Sequence, residues 1–314
     1  MRATRQIAAA LFITALGVAG CSRGDESGQA TPKDLEPARH KRVVEPSESL
    51  AVKPPMDGEG FVVPKPTGSF ADGEAAYRAR RYADATAIFE GYTERRPANP
   101  WGHYMLGLSA WKNGDLSKSE QAFEKALTID PHHVKSLVNL SRVFIDQKRH
   151  DEAVDRLTRA AEIEPDSADL HRLLGRTYHA LRKTAEAADA YRHAIDLDER
   201  DAWSMNNLGL LLLETKRAEE ALPLFAQAVE LRKEVPEFHN NLGMALEHTG
   251  RFKAAATAYS GALTADPRYL KAKQNLVRVE AVKGGTEEPF ELDKVAKDVA
   301  ETVEIPGDEN TANR

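Results

Sequence analysis

The chain has 314 residues with 43 Lys and Arg against 49 Asp and Glu, giving a net charge of −6, and it holds a single cysteine. Near-balanced charge without a basic stripe argues against nucleic acid as the main ligand, and one cysteine excludes a disulfide framework or a Cys-based zinc site. Residues 286–314 hold nine acids and three bases, a difference equal to the whole net charge, so the rest of the chain is neutral.

Arg2 and Arg5 precede an apolar run from Ile7 to Ala19. That run is shorter than the roughly 20 residues a spanning helix needs, and a basic start before a short apolar core reads as a secretory signal. The segment that follows, Val18-Ala19-Gly20-Cys21-Ser22, resembles the bacterial lipoprotein signal, and it contains the chain's one cysteine. The resemblance implies cleavage after residue 20 and acylation of Cys21, with Ser22 directing the chain to the outer membrane and the folded part facing the periplasm. Ordinary signal cleavage, leaving Cys21 an unmodified thiol, is the alternative. Residues 21–65 include Pro32, Pro37, Pro46, Pro54, Pro55 and Pro64 among charged and small polar residues, without an apolar period. Such a composition buries too little surface to offset its ordering entropy. It predicts a tether spanning roughly 35–40 Å as a flexible coil.

From residue 66 to 269 the chain repeats every 34 residues, six times without insertion. Gly73, Gly107, Gly175, Gly209 and Gly243 share one phase, with Ser141 in the remaining place; Phe89, Phe123, Leu157, Tyr191, Phe225 and Tyr259 share another. Apolar residues three and four apart, twice per unit, predict two helices, and the signals Asn113-Gly114-Asp115 and Thr249-Gly250-Arg251 predict turns between them. Pro97, Pro131, Pro165 and Pro267 mark the unit boundaries, with Glu199 and Lys233 in the other two. Small residues at one phase predict close helix approach, with the aromatic phase filling the space behind. A single hairpin cannot cover its apolar face, so the units must stack. Pro223, inside a predicted second helix, is expected to bend or shorten it.

This pattern resembles the tetratricopeptide repeat (TPR) family. The resemblance implies an all-α, right-handed superhelical solenoid of six helix-turn-helix repeats with a cap helix over 270–285. It also implies that first helices line a concave groove, where a protein or peptide partner binds. On groove phases stand Asn139, Asn207, Asn241 and Asn275, interrupted by Leu173, with Asn206 and Asn240 in a second row. An amide can hold both the donor and the acceptor of an extended backbone; hydrogen bonding between adjacent repeats is the competing reading. Trp101, Trp111 and Trp203 also fall on groove phases and suit stacking against peptide side chains or proline, or packing between first helices. Lys135, Arg142, Arg172 and Arg176 lie mid-groove beside Asp146 and Asp169. They could receive an acidic segment or form a solvated charged face.

No GxGxxG, P-loop or HExxH motif occurs, so no enzyme, cofactor, metal site or small-molecule substrate is expected. His103, His171 and His239 recur at a packing phase and read as semi-buried, while His132 and His133 are expected to be exposed. In the acidic tail Leu292, Val295, Val299 and Val303 have helical spacing after Pro289. A mobile tail is the main reading, and an amphipathic helix docked on the array is the alternative. The function these features imply is a membrane-anchored scaffold or adaptor in the bacterial envelope. The alternatives are an assembly factor for a machine such as a pilus secretin and a regulatory subunit of a cell-wall enzyme.

Overall fold

The computed structural model describes residues 68–282 and 290–298, all within one compact unit, Phe61–Arg314. The signal segment, Cys21, the tether and most of the acidic tail lie outside the described residues.

Six hairpins follow one another: α1 (Phe70–Arg78) with α2 (Tyr82–Arg95), α3 (Pro100–Lys112) with α4 (Leu116–Ile129), α5 (Val134–Asp146) with α6 (His150–Ile163), α7 (Ala168–Ala180) with α8 (Thr184–Leu197), α9 (Ala202–Glu214) with α10 (Ala218–Leu231), and α11 (Pro236–His248) with α12 (Phe252–Ala265). The cap helix α13 spans Leu270–Glu280, shorter than expected, and a short helix α14 (Leu292–Val295) runs into a 3-10 turn at Ala296–Asp298. Among the described residues every regular element is helical.

The turn inside each hairpin is built the same way six times. The residue two before each second helix has positive φ, and the next residue's N–H reaches back five residues to close the first helix, as in Arg149 N to Phe144 O at 2.8 Å. Glycine occupies this left-handed position at Gly114 and Gly250, but Arg80, Lys148, Arg182 and Lys216 adopt it too. The glycine phase has a different cause. A Cβ on Gly175 would sit 2.6 Å from two ring carbons of Tyr191, and one on Gly107 would sit 2.8 Å from Phe123. These rings are buried and fill the interior of each hairpin. The third hairpin follows the same volume rule: where Ser141 replaces glycine, the partner ring is replaced by the slimmer Leu157.

Between hairpins, His103, His171 and His239 each bond through Nε2 to the carbonyl oxygen six residues earlier, at 3.0, 2.9 and 2.9 Å, fastening the boundary turn to the next first helix. His132 is exposed, but His133 is buried, contrary to the sequence-based expectation. Its Nδ1 receives the Ser136 N–H at 3.2 Å, so its ring caps α5 and is drawn beneath Trp101, 4.5 Å between centroids. Pro223 leaves α10 at 14 residues, the length of the other second helices. A first helix also touches the next first helix at α1–α3, α3–α5, α7–α9, α9–α11 and α11–α13. The first helices therefore form the inner side of the array.

Candidate functional site

The inner side is stitched by a polar seam between side chains 35 residues apart. Trp111 Nε1 donates to Asp146 Oδ2 at 2.7 Å, His179 Nε2 meets Glu214 Oε2 at 2.9 Å, Asn241 Nδ2 donates to Asn206 Oδ1 at 2.8 Å, and Asn275 Nδ2 donates to Asn240 Oδ1 at 2.9 Å. Asn139 lies against Tyr104 one repeat back and donates to Lys135 O at 2.8 Å. Five of the six asparagines that the spacing selected thus bond within or between repeats. Asn207 differs: half-buried, its side-chain amide makes no hydrogen bond to another described residue, and it lies one turn after Trp203.

The mid-groove cations separate in the same way. Arg172 is committed to structure: it donates to Asp169 and, at 2.9 Å, to Asp201 Oδ1. Asp201 has a side chain only 2% exposed and caps α9 by accepting from Trp203 N and Ser204 N, each at 3.2 Å. Arg142 reaches Asn139 Oδ1 at 3.5 Å, while Arg176 is exposed and makes no ion pair among the described residues. These two guanidinium groups stand one repeat apart at the same phase.

At the N-terminal end the groove deepens into a cavity of about 650 Å³ lined by Phe70, Tyr77, Tyr92, Trp101, Tyr104, Leu108 and Lys135, among others. Trp101 is 45% exposed, stands edge-on to Tyr104 at 5.6 Å and to His133 at 4.5 Å, and carries Lys135 Nζ 5.2 Å from its ring centroid. Burial pushes the Tyr104 hydroxyl above its ordinary pKa and holds the His133 imidazole below the usual histidine value, so both are neutral near pH 7. Trp203, 36% exposed, is the second open ring, 4.8 Å edge-on to Phe238. The groove therefore reads in three zones: aromatic at the first two repeats, cationic at the third and fourth, and apolar with amides at the last two. The tilted aromatic platform escaped sequence reasoning because Phe70, Tyr77 and Tyr92 belong to the least regular repeat. Trp101 was its visible member. Among the described residues no group of three or more His, Cys, Asp or Glu could hold a metal ion.

Six stacked helix hairpins whose first helices form the inner side define a helical-repeat solenoid. Family models described as tetratricopeptide repeat match residues 110–177, residues 70–134 and 206–269, and residues 168–201, together most of the chain. The chain belongs to the tetratricopeptide repeat family, whose fold is typical of protein–protein interaction scaffolds.

Among solved structures it is similar to Pseudomonas aeruginosa pilF, with TM-score 0.57 and 16% identity, covering 66% of this chain and 95% of that one. It is also similar to YrrB, described as a TPR protein with an unusual peptide-binding site, with TM-score 0.50 and 19% identity, covering 60% and 97%. A curated relative, anaphase-promoting complex subunit 3 of Schizosaccharomyces pombe, is 25% identical over 99 residues, which are 32% of this chain. The match spans 15% of that relative's length.

Proposed function

We propose that the chain is a lipid-anchored adaptor of the bacterial envelope that holds an extended segment of a protein partner in its inner groove. The observation that carries this reading is the contrast along the groove. Most polar side chains there are consumed by the inter-repeat seam, while Trp101, Trp203, Asn207 and Arg176 remain open to a ligand. Rings half-open over a cavity take up an aromatic side chain or proline, and the free amide of Asn207 holds a backbone group. Arg142 and Arg176 suit a carboxylate between the two rings. Anchoring rests on Cys21, directly after the small residues of the signal; two or more acyl chains hold a protein stably at a bilayer. The approximately 45-residue tether lets the array work away from the membrane, which we assign to the periplasmic side of the outer membrane.

Affinity capture from the native envelope tests the groove, comparing wild type with a Trp101→Ala/Trp203→Ala/Asn207→Ala variant of unchanged helical content. A partner captured by wild type and lost from the variant supports the reading; equal capture moves the interface off the groove. Incorporation of labelled palmitate into wild type but not Cys21→Ser tests the anchor separately.

A further inference from the structure

The outer surface of α10 departs from that of the other second helices. At the phase of Pro223 four of them carry exposed Gln121, Asp155, Asp189 and Thr257, and α2 carries half-buried Ala87; at the phase of Ala226 all five are polar, with Glu124, Thr158 and Ser260 exposed and Glu90 and Arg192 half-buried. In α10 both positions are apolar and buried, and Leu222 and Val229 beside them are buried as well. The cover is the C-terminal segment. α14 and the 3-10 turn pack against α10, Phe290, Leu292 and Val295 lie against its apolar cluster, and Ala296 is buried. Of the two readings for the acidic tail, the docked one describes residues 290–298.

Two features make this contact exchangeable. A helix of four residues cannot hold itself together in water, because nucleation is unfavourable and isolated helices below about 12–15 residues are marginal. The α10 surface therefore templates α14. The segment also presents few apolar side chains, and its attachment depends on being tethered, which supplies an effective concentration on the order of 1 mM. An outward helix that bears apolar residues where nearly all its counterparts are polar, covered among the described residues by a short strap, is built as a helix-docking site.

We propose that the outer face of α10 is a second binding site, separate from the inner groove, whose ligand is a short amphipathic helical segment of a partner protein. Its own C-terminal strap is the resident competitor. The strap defines the chemistry: apolar residues in the pattern of Phe290, Leu292, Val295 and Ala296, with charged residues between them. The proline contributes directly. It removes a backbone donor from the interior of α10 and places an apolar ring on the docking surface, which explains its presence in a helix it does not shorten.

The test uses the full chain and a labelled peptide of residues 286–304 as probe. In Leu292→Asp/Val295→Asp the strap should release, and the peptide should bind at least tenfold tighter than to wild type. That is the factor expected when a tether near 1 mM competes against a peptide dissociation constant of about 100 µM. Adding Ala226→Glu to the released variant should abolish binding while leaving the far-ultraviolet circular dichroism unchanged. Equal binding to wild type and released variant, or binding that survives Ala226→Glu, overturns the proposal. So does strap-dependent dimerisation of wild type by light scattering, which would make a second copy the occupant. Loss of groove binding by Trp101→Ala leaves this site intact, so the two readings fail independently.

Discussion

The volume match between Gly175 and Tyr191 is testable because its two contributions oppose each other. Replacing a helical glycine with alanine gains about 0.8–1.0 kcal/mol of helix propensity. Here the added Cβ would lie 2.6 Å from Tyr191 Cδ1 and Cε1, roughly 1 Å inside the normal carbon–carbon separation of 3.5–4.0 Å. Tyr191 is buried, so its ring has little room to retreat. Overpacking of this kind costs about 1–3 kcal/mol, and Gly175→Ala should end about 0–2 kcal/mol less stable than wild type. The third hairpin supplies the rescue, because Ser141 there is accommodated by Leu157. Tyr191→Leu alone leaves a void and destabilises, but Gly175→Ala/Tyr191→Leu should be more stable than the sum of the singles by at least about 1 kcal/mol. In the reverse direction, Leu157→Phe should destabilise, and Ser141→Gly should relieve it. Urea unfolding followed at 222 nm measures all of these. Additive effects, or a stabilised Gly175→Ala, would show that the ring does not set the size of this position.

Other consequences follow from individual contacts. Arg172→Ala leaves the buried Asp201 carboxylate with only its capping bonds and should cost about 3 kcal/mol, the lower range for breaking a buried pair. Exposed Arg176→Ala should stay within about 0.5 kcal/mol, and urea midpoints compare them. A Cβ on Gly250 meets nothing within 4 Å, so Gly250→Ala should lose about 1 kcal/mol from its left-handed backbone alone. Lys216→Gly, which relieves the same backbone, should gain up to about 1 kcal/mol; a loss on thermal melting would contradict the strain argument. His133 is held neutral by burial, with Lys135 acting in the same direction and Asp130 opposing. Its folded pKa is lowered, so its contribution is present above the unfolded value of about 6.5 and is lost as pH falls through the folded value. Protonation also fills Nδ1, the atom that caps α5. Melting temperature should therefore fall more steeply below pH 6.5 in wild type than in His133→Asn, and parallel profiles would refute this.

The 34-residue phases of glycine, aromatic residue and proline made the hairpins legible, because close packing constrains residue size at fixed positions and size is visible in sequence. The left-handed turns were legible only where glycine marks them. At Arg80, Lys148, Arg182 and Lys216 the backbone takes the same conformation because the closing hydrogen bond and the packing of both helices fix it. Local residue preference loses to tertiary structure there. Groove phases were legible too, but not the use of each side chain. Asn206 and Asn207 are adjacent residues on one helix, yet one amide closes a bond to Asn241 and the other stays open. That difference depends on what stands 35 residues away, a relation that the spacing of asparagines alone does not distinguish.

The two faces of the molecule differ in what their repeating positions do. Along the inner side, polar side chains recur because each repeat must satisfy its neighbour, and Asn207 shares the phase of Asn139, Asn241 and Asn275 while its amide makes no hydrogen bond to another described residue. Along the outer side the phases of Pro223 and Ala226 are polar in nearly every other second helix, and the departure is apolar: Pro223 and Ala226 on α10. In a solenoid whose repeats share one hydrogen-bonding and packing scheme, every position has five internal references. A residue that differs from all of them and is not compensated within its own hairpin, as Leu157 compensates Ser141, is answering to something outside the repeat. For Pro223 and Ala226 of α10 that is the C-terminal strap.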